Sequence, residues 1–402
     1  MHLNNIKTRN LALCLATMLL SACGGGGGGG SSSAAPGTTT VYSAYVANYG
    51  SNNISQYTID ATTGALTSKA VPTVTSGAGP TSVTVDPTGK YAYVANSSGV
   101  GISQYTIGAG GGLVPLTPPT APAGSAPISI AIDPTGKYAY AANSQSSDVS
   151  QFTIGAGGLL IPMPTPTVTP CSPLITSCAQ GQWPISVTVD AKSQYVYVAN
   201  LTSNSISQYN IGTSGALTPM NPATVATGAS PVSIAVAGDS TGSKYVYVAN
   251  NGSATVSEFS IGTGGALLNI GTIAAGNLSP PTSLPTAITV AGDSTGSKYV
   301  YVTNGAVVSQ YTINPDGTLA AMTNPTIPAG ITAQSVTVDT TGKYVYVANL
   351  NGSFSGFSSG TGTVSQYSIG AGGELTAMSI PAVASGGVGS QPYSVTTAVS
   401  IQ

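Results

Sequence analysis

Short apolar runs with a two-residue alternation recur along the chain, separated by clusters of Gly, Pro, Asn and Asp. That pattern predicts β-strands joined by tight turns. In Tyr195-Val196-Tyr197-Val198-Ala199 the tyrosines fall on one face of the strand and the valines on the other. A sheet with one wet face would alternate apolar with polar residues instead. Such a strand must lie in a sheet that is covered on both sides.

The same strand returns seven times, ending at Asn48, Asn96, Asn143, Asn200, Asn250, Asn304 and Asn349, with steps of 48, 47, 57, 50, 54 and 45 residues. That period accommodates four short strands and their turns. In one repeat, Pro80-Thr81-Ser82-Val83-Thr84-Val85 reads as strand A and Asp86-Pro87-Thr88-Gly89-Lys90 as a turn. Tyr91-Ala92-Tyr93-Val94-Ala95 reads as strand B and Ile102-Ser103-Gln104-Tyr105-Thr106-Ile107 as strand C, and Leu113 opens an outer strand D. Proline supplies the first turn position and glycine the positive φ. Proline also stands at the head of strand A at Pro80, Pro127, Pro184, Pro231, Pro285 and Pro392, where it removes no ladder hydrogen bond. The Asn that ends each B strand reads as a turn former whose side chain satisfies nearby backbone amides.

The first copy begins at strand B, and the chain ends on Pro392-Tyr393-Ser394-Val395-Thr396, an A strand with no B after it. The two defects complement each other. The expected fold is all-β: a seven-bladed β-propeller of four-stranded antiparallel blades, its ring closed by pairing the C-terminal strand with the N-terminal strands.

Composition is unusual, with 52 Gly, 27 Pro and 21 Tyr against nine Lys plus Arg and eleven Asp plus Glu. The N-terminus explains part of it. Lys7 and Arg9 precede an apolar run at residues 11–20, of signal-peptide length. Leu20-Ser21-Ala22-Cys23 then resembles a bacterial lipobox, which predicts a leader over residues 1–22 and lipidation of Cys23. Residues 23–40, with seven glycines from Gly24 to Gly30, read as a flexible tether, spanning about 20 Å from Gly24 to Gly37 as a random coil, and 41–402 as the propeller. By resemblance to Gram-negative lipoproteins, Gly24 after the Cys points to the outer membrane. The mature chain would keep seven Lys and no Arg or His. It has no basic patch for nucleic acid.

Tyr301-Val302-Thr303-Asn304, its six relatives, and Asp-x-x-Gly-Lys at residues 86–90, 133–137 and 339–343 resemble the Tyr-Val-Thr-Asn repeat of the seven-bladed lactonase-like propellers. The resemblance implies hydrolysis of a sugar-acid lactone, such as 6-phosphogluconolactone, with His, Arg and Glu at the mouth of the axial channel. This chain departs from that pattern, because its one His, His2, and its Arg9 both lie in the leader. A phosphorylated substrate would need cationic partners, and lactone hydrolysis a general base.

Propeller topology places B-to-C turns and D-to-A connections on one end of the ring, and A-to-B and C-to-D turns on the other. Asp86, Asp133, Asp190 and Asp339 then cap A-to-B turns, Asp60, Asp316 and Glu374 fall in C-to-D turns, and Glu258 replaces a strand Gln. Asp148 alone among the carboxylates occupies the B-to-C end, which makes it the catalytic candidate if the chain is an enzyme. The turns at Asp239 and Asp293 hold one carboxylate each, too few for a metal.

Three insertions break the period, all on the Asp148 end. Residues 161–183 carry Cys171, Cys178, Gln182 and Trp183, residues 276–285 lengthen another connection, and residues 351–362 carry Phe354 and Phe357. Export favours a Cys171–Cys178 disulfide, whose eight-residue ring is worth about 2.5 kcal/mol. Gln182, Trp183, Phe354 and Phe357 are the expected ligand contacts. The expected role is a cell-envelope binding or structural module for a glycan or protein, without a cofactor; a lactonase-like hydrolase is the alternative.

Overall fold

Because each apolar strand needs cover on two sides, the strands form a ring of sheets rather than one sheet. The computed structural model describes residues 39–99, 101–169, 182–275, 284–293, 295–351 and 361–401. Among them 28 strands assemble into seven four-stranded antiparallel sheets. The closing blade runs, from axis to rim, β28 (Pro392–Ile401), β1 (Thr40–Asn48), β2 (Asn53–Ile59) and β3 (Leu66–Thr75). β1 and β28 pair from Thr40↔Ile401 to Asn48↔Pro392. The expected clasp between the two ends of the chain is present.

The next blade is β4 (Pro80–Val85), β5 (Tyr91–Asn96), β6 (Ile102–Ile107) and β7 (Leu113–Ala121), and five more repeat its order. Their inner strands are β8 (Pro127–Ile132), β12 (Pro184–Val189), β16 (Pro231–Asp239), β20 (Pro285–Asp293) and β24 (Ile331–Val338). Tyrosines and valines of strand B divide as the alternation predicts. Val196 and Val198 pack with Tyr140 of the preceding blade, while Tyr197 packs with Val246 and Val248 of the following one.

A phenol at such an interface brings a buried hydroxyl that needs a partner. Each finds the same one. Tyr45, Tyr93, Tyr140, Tyr197, Tyr247, Tyr301 and Tyr346 donate to a glycine carbonyl in the C-to-D turn of the next blade, at 2.6–2.8 Å. The last of these, Tyr346 to Gly64 at 2.6 Å, crosses the closure. Glycine is required at these turns. Gly317 has φ of 88°, and a Cβ on it would lie 2.1 Å from Tyr245 Cε1.

Strand C adds a second seam. Gln56 Oε1 accepts from Leu113 N–H of the next blade at 2.7 Å, while its Nε2 donates to Val71 of its own strand D at 3.0 Å. Gln104, Gln151, Gln208, Gln310 and Gln366 make the same two bonds. Glu258 makes only the first kind, to Leu319 N–H at 3.0 Å. Its strand D is shorter: Ser257 pairs with Thr272, whereas Ser207 pairs with Thr224. A Cβ on Gly271 would meet Glu258 Oε2 at 2.2 Å. An ionised carboxylate has no proton to donate, and here the strand it faces has shifted.

The Asn at the end of strand B differs from its expected role. It is buried in every blade. Its Nδ2 donates across the sheet to a strand C serine, as from Asn48 to Ser55 at 2.8 Å and from Asn200 to Ser207 at 2.8 Å. The same Ser55-type hydroxyl can accept a further backbone N–H, as Ser150 does from Gly124 at 3.0 Å. The residue therefore ties strands B and C to the D-to-A connection instead of capping a turn through backbone amides. The Asp residues do cap their turns: Asp86 Oδ1 accepts from Lys90 and Tyr91 N–H at 2.8 and 2.7 Å.

Tyr197→Phe should lower unfolding free energy by about 1–2 kcal/mol, because the Gly265 carbonyl loses its buried donor. A lower urea midpoint with an unchanged m-value would register it. A second expectation concerns pH. Burial, with Asp316 adding to it, raises the Glu258 carboxyl above its ordinary 4.5, while the Leu319 N–H pulls the other way. The folded state thus holds this proton more tightly than the unfolded chain does. Its stabilisation is fully present below pH 4.5 and is lost as pH rises through the folded value. Glu258→Gln lacks that slope, so in urea titrations its stability relative to wild type should improve as pH rises above the carboxyl's ordinary 4.5 and level off once the folded value is passed.

Candidate functional site

The inner strands share a local irregularity that builds the site. In every blade the pairing of strands A and B slips by one residue at the head of strand A. A β-bulge of this kind leaves one residue unpaired and re-aims its side chain. In the proline-headed strands that residue directly follows the proline. The bulged residues line a cavity of about 460 Å³ at the axis, on the end that carries the B-to-C turns.

Around the ring these residues divide into two arcs. Ile128, Ile185 and Val232 on three consecutive blades form an apolar arc, extended by Leu201. Thr286, Gln334, Tyr393 and Thr81 on the other four form a polar arc, extended by Asn251. The next residue of each strand is serine except at Ala287, and these serines stitch the inner strands together. Ser129 accepts from Val187 N–H at 3.2 Å and Ser394 from Val83 N–H at 3.3 Å, for example. No Asp, Glu, Lys, Arg or His lines the cavity among the described residues. Tyr393 is held as a neutral phenol, since burial, and then Tyr49 alongside, push its pKa up.

Asp148 lies at this end, as expected, but outside the cavity lining. It opens strand β10 (Asp148–Ile154), and its Oδ1 accepts from Asn143 Nδ2 at 2.7 Å and Ser146 Oγ at 2.9 Å. The carboxylate does for its turn what the Asn53 side chain does in the closing blade. Trp183 stands just before Pro184 with φ of 46°, and the residue is 49% exposed. A bulky residue at positive φ is uncommon; in other blades Gly79, Ala126 and Ser230 take that place. The Trp183 carbonyl accepts from Leu201 N–H at 2.9 Å, and that of Gln182 from Thr202 N–H at 3.3 Å. Trp183 therefore flanks the apolar arc, whereas the Gln182 side chain is buried. Cys23, Cys171, Cys178, Phe354 and Phe357 lie outside the described residues.

Gln334, Tyr393 and Tyr49 were not singled out from the sequence. One signal pointed to the first two. Within the repeated A strand, the position before the serine reads Thr, Ile, Ile, Val, Thr, Gln and Tyr, and it is the one that varies in character. Among the described residues no three His, Cys, Asp or Glu side chains come together as a metal site.

A closed seven-bladed ring with a neutral, two-sided axial mouth thus defines the class of protein. The chain belongs to the lactonase family of 7-bladed β-propellers, whose model matches residues 40–353. Its fold is similar to a putative 6-phosphogluconolactonase of Bacteroides fragilis, at 20% identity and a TM-score of 0.70, covering 89% of this chain and 98% of that one. It is equally similar to the periplasmic gluconolactonase of Pseudomonas aeruginosa, at 19% identity and a TM-score of 0.70, covering 89% and 99%. A search of curated proteins found no match to the sequence.

Asp148→Ala should cost about 1 kcal/mol by removing the partner of Asn143 and Ser146. Asp148→Asn keeps an acceptor oxygen and should restore most of it, as thermal denaturation of both variants would show.

Proposed function

We propose that the chain is an exported propeller, tethered to a membrane through lipidated Cys23, which binds a neutral ligand at its axial mouth without hydrolysing it. The observation that carries this reading is the absence of ionisable acids and bases, other than Tyr393, from the cavity lining among the described residues. The sequence supports it, since residues 170–181, 276–283 and 352–360, which lengthen the repeat, contain no Asp, Glu, Lys, Arg or His. Lactone hydrolysis needs a base to activate water and a donor for the developing oxyanion. Asp148, the carboxylate at that end, is engaged in its turn. Neutral hydroxyls, amides and an apolar arc suit a ligand recognised by shape and uncharged hydrogen bonds.

Family membership and the gluconolactonase neighbours favour a second reading, hydrolysis of a sugar lactone. A panel of phosphorylated and neutral sugar lactones separates the two. The binding reading expects turnover no faster than the uncatalysed rate. Turnover by the purified chain that disappears in Asp148→Asn, with stability retained, would overturn it. The tether has its own test: Cys23→Ser should abolish labelling by a fatty-acid probe and move the protein from the membrane to the soluble fraction.

A further inference from the structure

Besides the axial mouth, the described residues form a further cavity on this end of the ring. It has a volume of about 450 Å³ and lies between the B-to-C turn of the β4–β7 blade and the connection into β8. It is lined by Ser97, Ser98, Ser125 and Gln145, with glycines at 99, 101 and 124. Its walls are held by backbone bonds between turns and connections, Ser97 N–H to Gly79 O at 2.8 Å and Ser144 N–H to Ala126 O at 2.9 Å. The cleft is therefore built before any ligand arrives.

Two tyrosines join the cavities. Tyr393 belongs to the mouth, and its ring lies 5.9 Å from that of Tyr49, tilted by 39°. Tyr49 is exposed, and its hydroxyl is 3.3 Å from Ser98 Oγ in the cleft. A track of aromatic faces and neutral hydroxyls thus leads from the polar arc of the mouth into the cleft.

We infer that this track binds a neutral oligosaccharide, with one sugar seated in the mouth and the chain continuing over Tyr49 into the cleft. The inference rests on the binding reading above. Sugar rings offer apolar C–H faces to aromatic side chains and hydroxyls that pair with neutral donors and acceptors. Phosphorylated or uronic sugars would want cationic partners, and none lines either cavity among the described residues. A peptide that binds by adding a strand needs a free sheet edge, whereas the cleft is walled by turns and connections.

The test uses the full chain and calorimetric titration with neutral gluco- and galacto-oligosaccharides of one to six units. Glucuronate oligomers and an uncharged peptide serve as controls. Affinity should rise by about tenfold or more from the monosaccharide to the tetrasaccharide. Ser125→Trp, which fills the cleft from an exposed position, and Tyr49→Ala should abolish that gain, and Ser125→Trp should leave monosaccharide affinity unchanged. Gln334→Ala, in the mouth, should weaken every length. Equal affinity at all lengths, or a length gain that survives Ser125→Trp, would overturn the extended groove while leaving the mouth as a binding site. No saccharide binding at all, or binding of the controls alone, would overturn the oligosaccharide. In that case binding of the uncharged peptide that Gln334→Ala weakens would still support the mouth, and lactone turnover would remove the binding reading itself.

Discussion

The structure depends on a buried phenol meeting a glycine carbonyl across each blade interface. Two faces of every sheet must be covered, and tyrosine supplies the area to do so. Its hydroxyl is then stranded in an apolar interface unless the next blade turns a carbonyl toward it. The glycine at positive φ does that and leaves room for the preceding tyrosine ring, as Tyr245 and Tyr247 do together against the turn at Gly317. One arrangement, repeated around the ring, thus sets blade spacing and blade angle. It also accounts for how few charges the domain needs, since Asp239–Lys244 and Asp293–Lys298 are exposed pairs at hairpin tips and such pairs contribute little.

That uniformity confines variation to a few places. Strand B is occupied by packing on both faces, and strand C by the Gln seam and the serines that receive the Asn amides. Strand A keeps its serine for the neighbouring strand. What remains is the bulged residue, whose side chain is freed from the ladder and faces the axis. Seven such residues on seven blades make a mouth whose chemistry varies from blade to blade, although Thr286 also donates to the Ala333 carbonyl of the next blade at 2.6 Å and Ile185 and Val232 also pack against core clusters. The split into Ile128, Ile185 and Val232 opposite Thr286, Gln334, Tyr393 and Thr81 is the product of that freedom.

The fold was legible because the repeat multiplies each weak signal by seven, and because the missing A strand at one end matched the spare one at the other. Turn caps such as Asp86 were legible for a local reason: donor and acceptor lie within five residues. The seams were not. Gln56 and Leu113, or Tyr346 and Gly64, meet only once the ring has closed. The repeated Asn was misjudged because its local setting resembles a turn, while its actual partner is a serine on the adjoining strand. The mouth was only half visible: Trp183 announced itself as an insertion aromatic, but Gln334 and Tyr393 sit inside a regular element, where variation looks like noise until the bulge shows which way they point.

Charge placement bears on what such a ring can do. Acids and lysines gather in A-to-B and C-to-D turns, where Asp caps backbone N–H groups and the surface must stay wet. The opposite end has Asp148, held by Asn143, and otherwise neutral groups among the described residues. A site there can orient and enclose, using hydroxyls, amides and aromatic faces. Moving a proton at neutral pH would require a group that titrates in that range. Tyr393, its phenol pushed upward by burial, moves away from it. A fold shared with hydrolases is no obstacle to this, because the blades hold the scaffold and the bulged residues decide the chemistry.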